Sequence, residues 1–217
     1  MKAVLIFSGG LDSTTLLYRM LDMGYEVEAL TFNYAQRHKK EIDCASAIAR
    51  RLEIAHEIVD LSSLAGLLGS SALLGRDEIP DCHYTEEAAK KTVVPNRNMI
   101  MLSIAAGYAE AREIPELFYA AHKNDRTIYP DCRPEFVEAL RPAIAQATAW
   151  HPVNLRAPFL EMSKAEIVRM GLGLGVPYHL TWSCYRGERQ PCRSCPTCRE
   201  REEAFALNGC KDPLLEW

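Results

Sequence analysis

Short apolar runs alternate with amphipathic segments along most of the chain. The apolar run at residues 3–7 is followed by a glycine-containing turn and then by residues 14–23, whose apolar positions have helical spacing. A continuous apolar run predicts a buried strand, and apolar positions that recur every three or four residues predict a helix. Residues 26–32 again indicate a strand. The chain is therefore predicted to begin as strand, loop, helix and strand.

The same alternation continues toward the C-terminus. The predicted segments are helices at 41–52, 99–111 and 134–148 and strands at 55–60 and 116–121. Ser163 is a predicted helix N-cap, because Glu166 lies three residues later as in a capping box. Strands that alternate with helices in this way predict an α/β fold, in which helices cover both faces of a mostly parallel sheet.

Composition adds a size and a charge balance to this pattern. The 217 residues are 48% hydrophobic and 25% charged, which is sufficient for one substantial core. The apolar run before Ser8 is too short for a signal peptide or a membrane span, so we expect a cytoplasmic protein. The formal net charge of −4 gives no overall attraction to a phosphate backbone, so stable nucleic-acid binding is not expected.

Residues 8–14 lie between the first predicted strand and the first predicted helix and have the sequence SGGLDST. Backbone N–H groups and the helix dipole can hold an anion there, and two glycines permit close approach to it. The hydroxyl groups can add donors, and Asp12 can orient a neighbour or contact Mg²⁺. The order of residues matches neither the Walker A nor the dinucleotide-binding pattern. The alternative is an ordinary tight turn capped by Ser13.

Four of the eight cysteines fall within one short segment, as Cys184, Cys192, Cys195 and Cys198. Their spacing, with two overlapping C-x₂-C steps, suits a closed tetrahedral zinc site. An iron–sulfur cluster or a metal-free group of thiols is the alternative. Glycines and cysteines replace regular periodicity from Gly171 onward. We therefore expect a main α/β domain at 1–170 and a small helical zinc-binding subdomain at 171–217 that packs on it.

The loop at residues 8–14 resembles the phosphate loop of the N-type ATP pyrophosphatases. Further motifs resemble the 7-cyano-7-deazaguanine synthase family of that superfamily, and they lie at residues 32–38, 94–98, 129–136 and 180–185. The resemblance covers nearly the whole chain in the right order. It implies a Rossmann-like fold of the adenine nucleotide alpha hydrolase (PP-loop) type.

The resemblance also implies an activity. Members are ATP-dependent carbon–nitrogen ligases that convert 7-carboxy-7-deazaguanine and ammonia to 7-cyano-7-deazaguanine through an acyl adenylate and an amide. The implied cofactors are one structural zinc ion per chain and Mg²⁺ carried with ATP, and the implied assembly is a homodimer.

Site residues follow from the same motifs. The residues implied for catalysis are Asp12, Ser13, Arg97, Asp131 and Arg133. The residues implied for nucleotide binding are Phe7, Ser8, Gly9, Gly10, Leu11, Asp12, Ser13, Thr14, Thr15, Leu16 and Leu17, and the zinc ligands are the four clustered cysteines. Residues 62–92 lack a clean period and are interpreted as a lid over ATP.

The chain departs from the family pattern at several positions. Asn96 and Arg193 stand where Gly is usual, Ala121 and His122 replace Gly and Val, and Thr127 and Ile128 replace Ser and Gly. The change at Ile128 leaves the choice of substrate open. A tRNA thiolase, a nucleotide-binding sensor without turnover and a relative that only amidates the carboxylate therefore stay as alternatives.

Overall fold

A computed structural model of the protein describes residues 1–68, 71–75, 78–84 and 87–215. Across these ranges, the strands are β1 (Lys2–Ile6), β2 (Glu26–Asn33), β3 (Ala55–Asp60), β4 (Glu116–Phe118) and β5 (Asn154–Arg156). The α-helices are α1 (Leu11–Asp22), α2 (Lys40–Arg51), α3 (Arg97–Ala111), α4 (Pro134–Ala147), α5 (Lys164–Gly173) and α6 (Pro196–Ala206). Short 3₁₀ turns occupy Ser62–Leu64, Glu87–Thr92, Lys123–Thr127, Pro130–Cys132, Tyr178–Leu180 and Pro213–Leu215.

The strands are parallel and form one sheet in the order β3-β2-β1-β4-β5. Side chains of β1 alternate between its two faces. Val4 packs with α3 and α4 on one face, whereas Ala3 and Leu5 pack with α1, α2, α5 and α6 on the other. The predicted α/β fold with helices on both faces is confirmed. The order in which strands are added reverses between β1 and β4, and α/β folds bind ligands at such a switch point, at the carboxyl ends of the strands.

Short sequence patterns predicted most of these helices and strands. Ser163 caps α5, since its side chain accepts a hydrogen bond from the Glu166 N–H and the Glu166 carboxylate accepts one from the Ser163 N–H at 2.8 Å. Strand β5 was not predicted, because only Leu155 of its three residues is buried. A single apolar residue produces no periodic pattern.

The C-terminal segment shares its core with the sheet. Phe205 of α6 packs in the same apolar cluster as Leu5 of β1, and three of the clustered cysteines belong to the cluster on the opposite face. Helix α5 runs through residue 170, so the predicted domain boundary falls inside a helix. The division at residues 170 and 171 stays a prediction.

The described parts of residues 62–92 contact the body of the protein. The Arg37 N–H donates to the Leu73 carbonyl at 3.0 Å, and Arg186 contacts Asp81 at 2.6 Å. Residues 69–70, 76–77 and 85–86 of the predicted lid lie outside the described residues. In the part of the chain that the structure describes, no helix is long and apolar enough to cross a membrane.

Candidate active site and metal centre

The loop between β1 and α1 is held by its own hydroxyl groups. The Ser8 and Ser13 Oγ atoms lie 3.0 Å apart, and Ser13 Oγ also accepts from the Ser8 N–H at 3.2 Å. The Gly10 N–H donates to Ser8 Oγ at 3.2 Å. Gly10 is the N-cap residue of α1, so the loop ends on the positive end of the helix dipole. This arrangement suits a polyphosphate anion.

Gly9 allows the loop to pack against α2. It has φ +76°, and a Cβ atom there would lie 2.4 Å from the Glu41 carbonyl oxygen and 2.5 Å from the Ala45 nitrogen. Both atoms belong to backbone, which cannot rotate away. The Gly9 carbonyl in turn accepts from the Trp182 N–H at 3.1 Å, so the loop is also tied to the cysteine-bearing segment.

The predicted nucleotide residues divide into two groups. A cavity of about 240 Å³ is lined by Phe7, Ser8, Gly10, Leu11, Asp12 and Ser13. Gly9, Thr14, Thr15, Leu16 and Leu17 do not line it. Leu16 and Leu17 are buried in the core under α1, and Thr15 Oγ1 contacts the Tyr178 hydroxyl at 2.9 Å. These residues support the loop from behind.

A charged cluster lies at the switch point between β1 and β4. Lys164 Nζ, at the start of α5, is 3.2 Å from Asp12 Oδ2 and 2.7 Å from Glu200 Oε2. His122 Nε2, after β4, is 3.5 Å from Asp12 Oδ2 and 3.4 Å from Asp125 Oδ2. Two cationic side chains therefore meet one carboxylate oxygen of the phosphate loop.

Mutual charge decides how this cluster ionises. Burial raises the pKa of Asp12, but Lys164 and His122 outweigh it and leave that pKa well below its usual range. Burial lowers the pKa of His122, whereas Asp125 and Asp12 raise it to about 9. Burial likewise opposes the charge of Lys164, yet Asp12 and Glu200 hold its pKa above the usual value. Asp12, His122 and Lys164 are therefore charged near neutral pH.

Polar atoms of the cluster remain available. Asp12 Oδ1 and His122 Nδ1 are buried and have no hydrogen-bond partner among the described residues. A buried unpaired polar atom is costly, so such atoms commonly mark the position of a ligand, an ion or water. The anionic Asp12 Oδ1 suits a cation that accompanies a polyphosphate.

The opposite wall of the cavity contains a cation among tyrosines. The Arg97 guanidinium lies 5.7 Å from the ring centre of Tyr34 and 6.0 Å from that of Tyr129, and it donates to the Tyr34 hydroxyl at 3.2 Å. The Tyr129 hydroxyl is 2.8 Å from that of Tyr185 and 2.9 Å from Thr92 Oγ1. Burial raises the pKa of all three tyrosines, so they stay neutral. A planar ring with an anionic substituent fits such a wall.

Asp131 and Arg133 lie behind this wall. Asp131 Oδ2 accepts from the Asn98 N–H at 2.9 Å, so it caps the first turn of α3 next to Arg97. Arg133 is exposed, and its Nε donates to the Arg126 carbonyl at 3.0 Å. Neither side chain lines the cavity. Of the predicted catalytic residues, the structure thus brings Asp12, Ser13 and Arg97 together.

Backbone geometry bears on two of the positions at which the chain departs from the family pattern. Asn96 has φ +57° and Arg193 has φ +60°, which are left-handed conformations that glycine adopts most easily. Ile128 has φ −104°, so no left-handed strain arises there. Its side chain lines the cavity beside Tyr129, so it occupies space that the glycine usual in the family would leave open.

The four clustered cysteines converge in space. Their Sγ atoms all lie within 4.8 Å of one another, and the group is largely buried. Cys195 is the N-cap residue of α6 and Cys198 lies in its first turn. The Cys195 N–H donates to Cys192 Sγ at 3.3 Å, and the Cys192 N–H donates to Cys184 Sγ at 3.4 Å. N–H groups aimed at sulfur stabilise thiolates, so this cluster can hold a metal ion.

The sequence matches the family model described as queuosine biosynthesis protein QueC over residues 2–209. The chain belongs to the QueC family. A relative from Archaeoglobus fulgidus, described as 7-cyano-7-deazaguanine synthase, is 57% identical and aligns over 100% of this chain and 92% of its own length. A relative of the same description from Methanoregula boonei is 53% identical, over 99% of this chain and 98% of its own length. The predicted family resemblance is confirmed.

The fold of this QueC chain is also found in more distant proteins. A 4-thiouridine synthetase, solved as an RNA complex with bound ATP, has a TM-score of 0.52 and 19% identity over 96% of this chain and 52% of that chain. At this identity the likeness concerns the fold alone. It confirms the predicted PP-loop type of α/β fold.

The sequence analysis did not identify Lys164 and Glu200. Lys164 is the first residue of α5, where the helix dipole disfavours a cation, and that conflict is the signal that could have revealed it. Glu200 lies within α6, where a glutamate is common, so nothing in the sequence marks it as part of a site. The pairing of Lys164 with Asp12 brings together residues that are far apart in sequence, so only the fold shows it.

Proposed function

We propose that the protein is an ATP-dependent carbon–nitrogen ligase that converts 7-carboxy-7-deazaguanine and ammonia to 7-cyano-7-deazaguanine. The supporting observation is a single cavity that joins the phosphate loop to the wall formed by Arg97, Tyr34, Tyr129 and Tyr185. One wall suits a polyphosphate and the other suits a planar ring that carries a carboxylate. Membership of the QueC family is consistent with this pairing.

The residues of the loop divide the work of holding ATP. Backbone N–H groups in the first turn of α1, with the hydroxyl groups of Ser8 and Ser13, donate to phosphate oxygens. The loop contains no cation of its own, and the two cations that contact its Asp12 are Lys164 and His122. Asp12 orients these two cations toward the phosphate end of the cavity.

The proposed function includes two metal ions, Mg²⁺ bound with ATP and zinc bound by the cysteines. Mg²⁺ on the phosphates would neutralise part of their charge, and the unpaired Asp12 Oδ1 fits contact with it or with its water. Zinc fits the four sulfur atoms, which lie within 4.8 Å of one another, because tetrahedral Zn–S bonds of about 2.3 Å place thiolates at about 3.8 Å from one another. A closed site has no open coordination position, so we propose that zinc has a structural role.

Arg97 and its tyrosines hold the acceptor. The guanidinium can bind the carboxylate with two parallel hydrogen bonds and aim one oxygen at the ATP α-phosphate. Asp131 acts indirectly, because it fixes the first turn of α3 that carries Arg97. Arg133 stays a predicted contributor that lies outside the cavity.

The chemistry needs position and charge. A carboxylate is a poor electrophile, so its oxygen attacks the α-phosphate, displaces pyrophosphate and gives an acyl adenylate. Ammonia attacks the acyl carbon, AMP leaves and the nitrogen loses a proton, which gives the amide. A second ATP adenylates the amide oxygen with release of pyrophosphate, and this oxygen leaves with AMP while the nitrogen loses two protons, which gives the nitrile. No protein nucleophile is required. Cys132 does not serve as one, since burial raises the pKa of its thiol well above the usual value and Asn98 contacts its Sγ at 3.2 Å.

The test is mass spectrometry of a reaction that contains the protein, ATP, Mg²⁺, ammonium and 7-carboxy-7-deazaguanine. We expect the nitrile from the wild type and loss of the nitrile from Arg97→Met. Arg112→Met is the matched control, because Arg112 is exposed and stacks on Tyr108 outside the cavity. Accumulation of the amide alone would indicate an amidating relative. Absence of any product would contradict the proposal and favour a tRNA thiolase or a sensor.

The family resemblance adds three smaller proposals. We propose a homodimer, which light scattering of the purified protein would test against a monomer. We also propose that residues 171–217 form a zinc-stabilised subdomain packed on residues 1–170, and that the protein acts in the cytoplasm. Partial proteolysis with and without a zinc chelator would test the subdomain, because cleavage confined to residues 171–217 is expected after chelation.

A further inference from the structure

His122 joins the two walls of the cavity. Its Nε2 lies 3.5 Å from Asp12 of the phosphate loop and 3.4 Å from Asp125, which follows β4. The residue is 1% exposed, and within the described residues its Nδ1 has no hydrogen-bond partner. One nitrogen of the ring therefore contacts two carboxylates.

Asp125 passes this contact on to the acceptor wall. Its carbonyl accepts from the Ile128 N–H at 3.1 Å and from the Tyr129 N–H at 2.8 Å. Ile128 and Tyr129 both line the cavity, and Tyr129 lies beside Arg97. A shift of Asp125 must move the turn that sets the position of these two side chains.

The phosphate loop provides the other end of the chain of contacts. Asp12 is in the first turn of α1, two residues after the glycines that would approach the phosphates. Its Oδ2 lies 3.5 Å from His122 Nε2 and 3.2 Å from Lys164 Nζ, so it forms an ion pair with each of them. A ligand on the loop that reorients Asp12 therefore changes the donor that Asp125 shares.

We propose that His122 is a positioning residue that couples the nucleotide site to the acceptor site, so that each ligand strengthens the binding of the other. The inference rests on the proposed function, because it takes ATP and the carboxylate as the two ligands. Coupling of this kind is reciprocal, and its size is the ratio of the acceptor affinities with and without nucleotide.

The physical reason is that the His122 ring contacts both carboxylates, whereas Lys164 contacts only Asp12 of the two and the His122 backbone N–H contacts only Asp125. Water has little access to His122, and the carboxylates of Asp12 and Asp125 would repel each other without a donor between them. With the donor present, the two loops keep one relative arrangement. Without it, each loop can bind its own ligand, but the arrangement of one loop no longer constrains the other.

The experiment measures the dissociation constant of 7-carboxy-7-deazaguanine by titration calorimetry. Each protein is titrated without nucleotide and with a saturating non-hydrolysable α,β-methylene analogue of ATP and Mg²⁺. We expect nucleotide to strengthen acceptor binding about tenfold in the wild type. In His122→Leu the factor should fall to about one, whereas His122→Gln should keep most of it, since its amide can donate to both carboxylates.

Two further variants keep the test decisive. His122→Asn has an amide too short to span both carboxylates, so the contrast between Asn and Gln decides if the Leu variant fails to fold. His151→Gln is the control, because His151 is 49% exposed and pairs only loosely with Glu113 at 3.8 Å. We expect the control to keep the tenfold factor.

The outcomes separate this inference from the proposed function. A tenfold factor retained in His122→Leu or His122→Asn would overturn the coupling role. A factor of one in a wild type that still makes the nitrile would overturn the inference and leave the proposed function intact. If the wild type neither binds the carboxylate nor makes the nitrile, both are overturned.

Discussion

Replacing Gly9 by Ala tests whether the phosphate loop depends on close packing against α2. The added Cβ would lie 2.4 Å from the Glu41 carbonyl oxygen and 2.5 Å from the Ala45 nitrogen, where ordinary contacts need about 3.5 Å. Relief requires the loop to move by about 1 Å away from the helix. Such overpacking costs about 1–3 kcal/mol, and the left-handed φ of +76° adds about 1–2 kcal/mol for a residue with a Cβ.

A matched control separates the two contributions. Gly24 has φ +80°, but a Cβ there would meet no atom within 4 Å. Gly24→Ala should therefore lose only the conformational part, about 1–2 kcal/mol. Gly9→Ala should lose about 4 kcal/mol in total. For a protein of this size, each kcal/mol lowers the melting temperature by about 2–4 °C.

Two measurements check this reasoning. Thermal unfolding should place Gly9→Ala roughly 5–10 °C below Gly24→Ala. Binding of the non-hydrolysable ATP analogue at a temperature where both variants are folded should weaken about tenfold or more in Gly9→Ala alone, since a loss of 1.4 kcal/mol gives a factor of ten. Equal melting temperatures and equal nucleotide affinities in the two variants would refute the role of the close approach.

Three other perturbations follow from the charged cluster and the cysteines. Lys164→Met leaves Asp12 and Glu200 without their buried cation and should lower the free energy of unfolding in urea by about 3–5 kcal/mol. The control Lys2→Met removes an exposed pair with Glu26 and should lower it by less than about 1 kcal/mol. Similar losses in the two variants would contradict the argument. Elemental analysis of purified Cys198→Ser should find no bound zinc, whereas Cys210→Ser, a substitution outside the cluster, should retain one zinc ion per chain. Zinc retained in Cys198→Ser would argue against a four-cysteine site. The pKa of His122 is raised from 6.5 to about 9 on folding, so its charge stabilises the fold fully below pH 6.5 and this contribution, about 3 kcal/mol at most, is lost as pH rises through 9. Unfolding free energies measured from pH 6 to pH 10 should fall in the wild type and fall less in His122→Leu, and parallel curves would exclude His122 as the titrating group.

The sequence predicted those features well that depend on residues close together in the chain. The loop of glycines and hydroxyl groups required a strand before it and a helix after it, and both are present as β1 and α1. The cysteine spacing brought four sulfur atoms within one short segment, so little tertiary information was needed to predict their convergence. Asn96 was recognised as a substitute for glycine, and its φ of +57° agrees with that reading.

Contacts between distant segments were beyond the reach of these signals. Asp131 lies in the family motif at residues 129–136 and is implied for catalysis, but its carboxylate accepts from the Asn98 N–H in the first turn of α3, a contact that only the fold creates. Strand β5 is too short for a pattern and exists because β4 offers it a partner.

The family, the α/β fold, the phosphate loop and the cysteine cluster were determined by the sequence itself, since each depends on residues close together in the chain or on a pattern that runs along it. The cluster of Asp12, His122, Asp125, Lys164 and Glu200 was decided only by the tertiary structure. Its members come from four separate segments that meet at the carboxyl ends of β1 and β4. Their charges depend on burial and on one another, and neither property exists before the chain has folded.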